Sequence, residues 1–331
     1  MSRSRDPIVR EFESAVAGEP IDLAATALTI AKLEYPQLDP APHLAALDRL
    51  GDLARLRIGR VSATAHRARI AALNALLFED EGFAGNHSHY DDFRNSLLNT
   101  VLDRRLGIPI TLALVYMEVA GRAGIDVQGI SFPGHFLMRV NAGDRARARK
   151  ARETTPPRRV RAAGTPRSGD HGVPASERVG GSAGAKPNGL ILDPFDAGVE
   201  LDTSDCRKLL ARHLGSTPDE APFSPALLQP CSRRQMIGRM LNNLKRTYLE
   251  VRSFHHARRV TDLLLALEPI NVAELRDRAL LAYHLGDLPP ALRDLEDYLR
   301  LRTWKDDDDR EERQQLLDHV RTLKRRVASL N

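Results

Sequence analysis

Three stretches of the chain carry residue types suited to chemistry: RNSLLNTVLDRRLGIPITLALVY (Arg94 to Tyr116), PGHFLMRV (Pro133 to Val140) and LILDPFD (Leu190 to Asp196). The first reads as a helix, a break at Gly107 and a second helix. The other two read as strands. A helix N-terminus, a His on one strand and an Asp on the next can converge. That is the layout of a nucleophile–base–orienter triad, where the helix start holds the nucleophile and the Asp fixes the His tautomer. His135 and Asp193 are the candidates for base and orienter. Near the helix start, the hydroxyls of Ser96 and Thr111 read as buried or capping groups. Cys206 and Cys231 both lie after Asp193 in the chain, away from the helix start.

Other readings of the same residues stay open. His135 and Asp193 can be a hydrogen-bonded pair that pins two strands. They can also be the polar floor of a ligand pocket, with Arg94, Asn95, Asn99 and Arg105 lining its rim. A third arrangement would bind a metal through His87, His89, His135 and Asp193, since His87-Ser88-His89 has a ligand-like spacing. That spacing falls in a Gly-rich loop beside Asp91 and Asp92, where a solvated loop is the simpler reading. Neither a resident metal nor a cofactor is expected.

These residues need elements to position them. Asp6-Pro7 reads as an N-cap followed by proline at the first helical position. Helices are expected over Ile21 to Leu33, His43 to Leu56 and Ser62 to Phe78, from apolar residues at helical spacing. Glu79 to Asp92 reads as a loop, with Gly82, Gly85 and Asn86 interrupting the pattern. Ser96 to Arg105 and Ile110 to Ala123 read as helices. Val127 to Phe132, His135 to Val140 and Leu190 to Leu192 read as strands.

Between the last two strands lies a segment unlike the rest. Residues 143–189 hold no Leu, Ile, Met, Phe, Tyr or Trp, and they carry 11 Lys+Arg against 4 Asp+Glu. The formal charge of +5 is therefore +7 in this segment and −2 elsewhere. Such a composition cannot bury enough apolar surface to offset its ordering entropy, so a disordered insert is expected. Removing its 47 residues leaves His135 and Asp193 11 positions apart, which is hairpin spacing. The insert should sit at a hairpin tip, where a long loop costs little closure entropy. Its charge invites a nucleic-acid reading, but it has no aromatic residue for stacking bases, and a solvated linker is preferred.

Pro222 to Pro230 reads as a linker, and helices follow. Phe254 matches Leu288, Ala257 matches Ala291 and Leu264 matches Tyr298, each at a shift of 34. That is the tetratricopeptide period, with small alanines where paired helices pack closely. A third helix, Arg310 to Leu330, would cap the array. Two units are too few to stand alone, so they must dock on what precedes them.

The central stretches resemble the transglutaminase-like superfamily, a papain-like fold. The resemblance is closest to a SirB-type bacterial family that joins such a domain to tetratricopeptide repeats. It rests on LDRRLGIPITLALVY, PGHFLMRV and LILDPFD. It implies that His135 falls on the superfamily's catalytic histidine and Asp193 on its aspartate. Active members read Gly-x-Cys at the helix start, whereas here Gly107-Ile108-Pro109 puts Pro109 in the cysteine's place. Proline has neither a nucleophile nor a backbone N–H. The resemblance thus implies the fold and a triad remnant.

The expected fold is α+β: a helical subdomain (1–80), a transglutaminase-like core (81–221) carrying the insert, and an all-α repeat region (230–331). The expected function is a non-enzymatic protein-interaction or regulatory role on a degenerate domain. The alternative is a hydrolase-like enzyme using His135 and Asp193. A protein or peptide partner is expected at the repeats and their seam with the core, rather than nucleic acid or membrane. The apolar run Ile108 to Ala120 is shorter than the roughly 20 residues a membrane helix needs. The N-terminal MSRSRDPIVREFES lacks the apolar stretch of a signal peptide, and two cysteines do not suggest a disulfide scaffold. A cytoplasmic setting follows.

Overall fold

The computed structural model describes residues 6–62, 64–141, 189–304 and 307–329. The expectation for the Arg-rich insert falls on residues 143–188, outside the described residues.

Helix α1 (Pro7–Val16) is capped by Asp6, whose carboxylate accepts the Ile8 N–H at 2.8 Å. Asp22 caps α2 (Leu23–Ala31) in the same way through the Ala25 N–H. Helices α3 (Ala41–Ile58) and α4 (His66–Asn74) follow. The helix expected to reach Phe78 instead widens into a π turn over Ala75–Asp80. Strand β1 (Ala84–Gly85) lies inside the expected loop. A 3-10 turn (Phe93–Ser96) leads into α5 (Leu98–Arg104), which ends where Arg105 takes a left-handed φ of 61°. Strand β2 (Leu106–Gly107) pairs with β1 in parallel. Helix α6 (Pro109–Arg122) starts on the proline.

Strands β3 (Val127–Ile130), β4 (Leu137–Val140), β5 (Leu190–Asp193) and β6 (Val199–Leu201) form one antiparallel sheet in that order. Strands β4 and β5 pair directly, Val140 opposite Leu190, across the segment that separates them in sequence. Helix α7 (Thr203–Leu214) packs Cys206, Leu210 and Ala211 under this sheet. The stretch expected to be a linker is mostly exposed and is anchored at one residue. It contains a 3-10 turn (Pro225–Leu228), Leu228 is buried, and its carbonyl accepts a hydrogen bond from Arg139 at 2.6 Å.

The repeat region contains α8 (Arg233–Glu250), α9 (Phe254–Leu267), α10 (Val272–His284), α11 (Leu288–Leu301) and α12 (Asp307–Ala328). Phe254 opens α9 and Leu288 opens α11, 34 positions apart, and Ala257 and Ala291 are both fully buried.

Helix α6 sits at the centre. Its residues Ile110 to Tyr116 are all buried, and a helix that is apolar all round must be covered on every side. Helix α3 crosses it at Gly51, where a Cβ would stand 2.5 Å from the Cβ of Arg122, so only glycine permits the approach. The same apolar cluster takes in Phe12 of α1, Leu28 of α2, Leu77, Met138 of β4, and Met236, Ile237, Leu241 and Leu244 of α8. It continues through Val260 and Leu264 of α9. The first helical hairpin is thus a wall of the main core. The second hairpin reaches this core through Leu281 of α10, and with α12 it rests mainly on two smaller clusters, one around Leu288, Leu295, Val320 and Leu323, the other around Leu275 and Tyr298.

Candidate functional site

Strands β4 and β5 run side by side, so the residue before one and the residue ending the other meet at one end of the sheet. His135 lies in the turn before β4 and not on the strand, because its N–H closes a turn onto the Phe132 carbonyl. Asp193 ends β5. The Nε2 of His135 is 2.9 Å from each carboxylate oxygen of Asp193. The Phe195 N–H donates to Asp193 Oδ1 at 2.9 Å, which fixes the carboxylate. The imidazole is 17% exposed and the carboxylate 8%. No described residue makes a hydrogen bond to His135 Nδ1. With Nε2–H donating to the carboxylate, a neutral imidazole carries its lone pair on Nδ1.

Phe195 gathers the rings around this pair. Its centroid is 4.4 Å from His87, 5.8 Å from Tyr90 and 6.2 Å from His135. Gly85 of β1 lies so close that a Cβ there would be 2.6 Å from the Phe195 ring. His89 points elsewhere, its Nδ1 3.1 Å from Ser88 Oγ. No three His, Cys, Asp or Glu side chains converge as a metal set among the described residues.

The fourth side of the site comes from α8. Arg239 donates to the His135 carbonyl at 2.7 Å and to Ser131 Oγ at 2.9 Å. Burial lowers its pKa. Burial raises the pKa of the Tyr90 phenol, against the pull of Arg246 and Arg239. Cys231 is half-buried beside this arginine, and its N–H donates to the Gly129 carbonyl at 2.8 Å. Cys206 is fully buried. Burial, helped by the charges of Asp205, Asp202 and Asp193, pushes its thiol up to about 11.

The polar quartet named from sequence is spread over separate duties. Asn95 is fully buried; its amide donates to the carbonyls of His89 (2.7 Å) and Tyr90 (3.2 Å), and its oxygen accepts from Asn86 at 3.0 Å. It therefore shapes the loop that carries His87 and Tyr90. Arg94 is exposed and paired with Asp92. Burial pushes the Asp92 carboxyl up, but its hydrogen bonds and ion pairs with Arg94 and Arg104 outweigh this and hold it below the usual range. Arg105 pairs with Glu81 at 3.0 Å and stacks on Phe83. Asn99 is buried, and its Oδ1 has no hydrogen-bond partner. None of the four bonds to His135 or Asp193.

At the start of α6, Pro109 is buried. Thr111 Oγ1 accepts the Ile108 N–H at 3.1 Å and donates to the Asn95 carbonyl at 2.7 Å, so this hydroxyl is a cap locked in the interior. A polar recess of about 410 Å³ lies at the other end of α6, lined by Asp22, Glu118, Arg122 and Arg233 among others. Its charges are already committed: Arg122 to Asp48 and Glu118, and Arg233 to the Ile21 carbonyl.

Sequence reading missed Arg239 and the role of Tyr90. Arg239 belongs to the repeat region and only the tertiary docking of α8 brings it to His135. Phe195 was inside a noted motif, but its ring-gathering position depends on the tight glycine at position 85.

Comparison with known proteins agrees with this architecture. The sequence profile of the transglutaminase-like superfamily matches residues 41–242, and that of the tetratricopeptide repeat matches 244–318. The two ranges meet inside α8. The chain is 35% identical over 291 residues to a UPF0162 protein of Xylella fastidiosa (strain Temecula1), covering 87% of this chain and 86% of the relative. It is 22% identical over 249 residues to protein SirB1 of Salmonella typhimurium, covering 75% of each. It is also 27% identical over 218 residues to human F-box only protein 21, covering 66% of this chain and 28% of that protein. No solved structure matches. No helix of the described residues is long and apolar enough to cross a membrane. The chain belongs to the transglutaminase-like superfamily, in the SirB-type group, and carries tetratricopeptide repeats after that domain.

Proposed function

We propose that this chain is a non-enzymatic interaction protein, in which a transglutaminase-like domain without its nucleophile serves as a rigid base for a partner-binding helical face. The observation that carries the reading is Pro109 at the first position of α6, where the resemblance implies a catalytic cysteine. A proline side chain cannot attack a carbonyl. The nearest hydroxyl on that helix, Thr111, is fully buried and engaged. Exposed apolar residues support the binding role: Leu280 and Tyr283 lie on the outer face of α10. The test is affinity capture with the full chain and with a Leu280→Asp, Tyr283→Asp variant. Reduced recovery of specific partners is expected, and equal recovery from both would remove the role assigned to the repeats.

A second reading, a hydrolase-like activity, is favoured by one observation. His135 spends Nε2 on Asp193 and leaves Nδ1 without a protein partner among the described residues, so it can act as base on water. Turnover in an amide and ester panel that His135→Ala abolishes would replace the first reading with this one.

A further inference from the structure

Arg239 is a half-buried cation whose partners are a hydroxyl and a carbonyl, and no carboxylate pairs with it among the described residues. A desolvated charge without a counterion is costly, and it favours an anion brought from outside. Its surroundings continue that preference. Arg246 is two helical turns along α8 and is 58% exposed. Arg246 leaves α8 on the same side as Arg239, seven positions on, and the Tyr90 ring packs on Phe195 beside His135, whose carbonyl Arg239 holds.

The repeat geometry extends this space into a face. Arg239, Arg246 and Leu249 lie on one side of α8, at the i, i+7 and i+10 positions of a helix. A shift of 34 carries Arg246 to Leu280 and Leu249 to Tyr283 on α10. Leu249, Leu280 and Tyr283 are all exposed. The two helices are held side by side by Lys245 of α8, whose ammonium lies 2.7 Å from Glu274 and 3.0 Å from Asp277 of α10. The outcome is a surface that is cationic at the core end and apolar toward the second hairpin.

We propose that this face binds an acidic peptide segment, with a carboxylate seated between Arg239 and Arg246 beside Tyr90 and apolar side chains on Leu249, Leu280 and Tyr283. The proposal rests on reading the repeats as the partner-binding surface. Charge complementarity selects the occupant. A nucleic acid is disfavoured because two arginines, one already 3.6 Å from Glu250, are too few to follow a phosphate backbone, whereas a single carboxylate needs no more than such a pair. The segment of this chain between residues 143 and 189 carries a net charge of +7, the wrong sign to complement two arginines.

The test is selection of a random short-peptide library on the full chain, followed by anisotropy titration of the best binder. Peptides pairing Asp or Glu with a nearby aliphatic or aromatic residue should be enriched. Arg246→Glu, a change at an exposed position, should weaken the best binder about tenfold or more, and Arg246→Lys should largely retain it. Arg239→Gln should weaken it as well. A bound pool with no acidic enrichment, or one that Arg246→Glu binds equally well, overturns acidic recognition while leaving the repeats as a binding surface. Tighter binding of a thymidine oligonucleotide than of any selected peptide also overturns it. If no peptide is retained, this proposal falls, while the reading beneath it stands or falls on the capture experiment with the Leu280→Asp, Tyr283→Asp variant.

Discussion

Replacing Lys245 by methionine tests how the second hairpin is fastened to the core. The Lys245 side chain is 11% exposed and that of its main partner Glu274 is 8%. Removing the ammonium leaves the Glu274 carboxylate buried without a counterion, while Asp277, 31% exposed, retains water. Breaking a buried pair from one side costs about 3–5 kcal/mol, whereas replacing both members by apolar residues is often neutral. Lys245→Met should therefore lose about 3–5 kcal/mol, and Lys245→Met with Glu274→Leu should return to within about 1 kcal/mol of the parent. The assay is urea unfolding followed by two signals. Trp304 is the chain's only tryptophan and lies beyond α11 with its ring 6.1 Å from Tyr298, so its fluorescence reports the second hairpin. Far-UV circular dichroism reports all helices. The single variant should move the Trp304 transition to lower urea ahead of the bulk helix loss, because the second hairpin reaches the main core through Leu281 and otherwise rests on small clusters. A loss below about 1 kcal/mol, or a double variant as weak as the single, would refute the claim that this ion cluster is desolvated and fixes the α8–α10 register.

Cys206, pushed up to about 11, should be about one part in a thousand thiolate at pH 8, so a disulfide reagent should consume half-buried Cys231 first and Cys206 only on unfolding. Because the folded thiol holds its proton more tightly than the unfolded one, its contribution to stability is complete below about pH 8.5 and is lost as pH rises toward 11. Equal labelling rates for the two native thiols would refute this. Asn95→Ala strips three hydrogen bonds from the loop carrying His87 and Tyr90 and should cost about 2–4 kcal/mol, with amide exchange quickening first around His89 to Asp92. Unchanged exchange there would contradict the anchoring role. Gly85→Ala should push the Phe195 ring and cost about 1–3 kcal/mol; a shifted His135 imidazole resonance is the specific sign, and its absence would uncouple Phe195 from the pair.

Periodicity was enough to locate what is local. Ala41–Ile58 and Pro109–Arg122 follow from apolar spacing, and the opening of α9 and α11 from matched alanines. The pairing of β4 with β5 followed from counting positions on either side of the basic segment. Short features escaped. Two-residue strands such as β1 and β2 carry no pattern, and β6 with Val199 exposed shows no alternation to read. The placement of His135 in a turn rather than on the strand depends on one hydrogen bond to Phe132. Arg239 could not be assigned to the site because nothing in an amphipathic helix states which surface it will dock on. In the proline-rich stretch before α8, proline content marks irregular backbone but does not say which residue anchors it, here Leu228.

Helix α8 has inner residues in the main core and outer residues on the proposed binding face. Occupancy of the outer face is therefore linked by mass action to the folding of the inner one. A ligand present at about a hundred times its dissociation constant adds about 2.7 kcal/mol to the stability of whatever it requires to be folded. For an array tethered by a free linker, that gain would stay within the array. Here it is delivered to the structure that also holds His135 against Asp193. A melting-temperature screen of the intact chain can thus find binders of the helical face by watching the core.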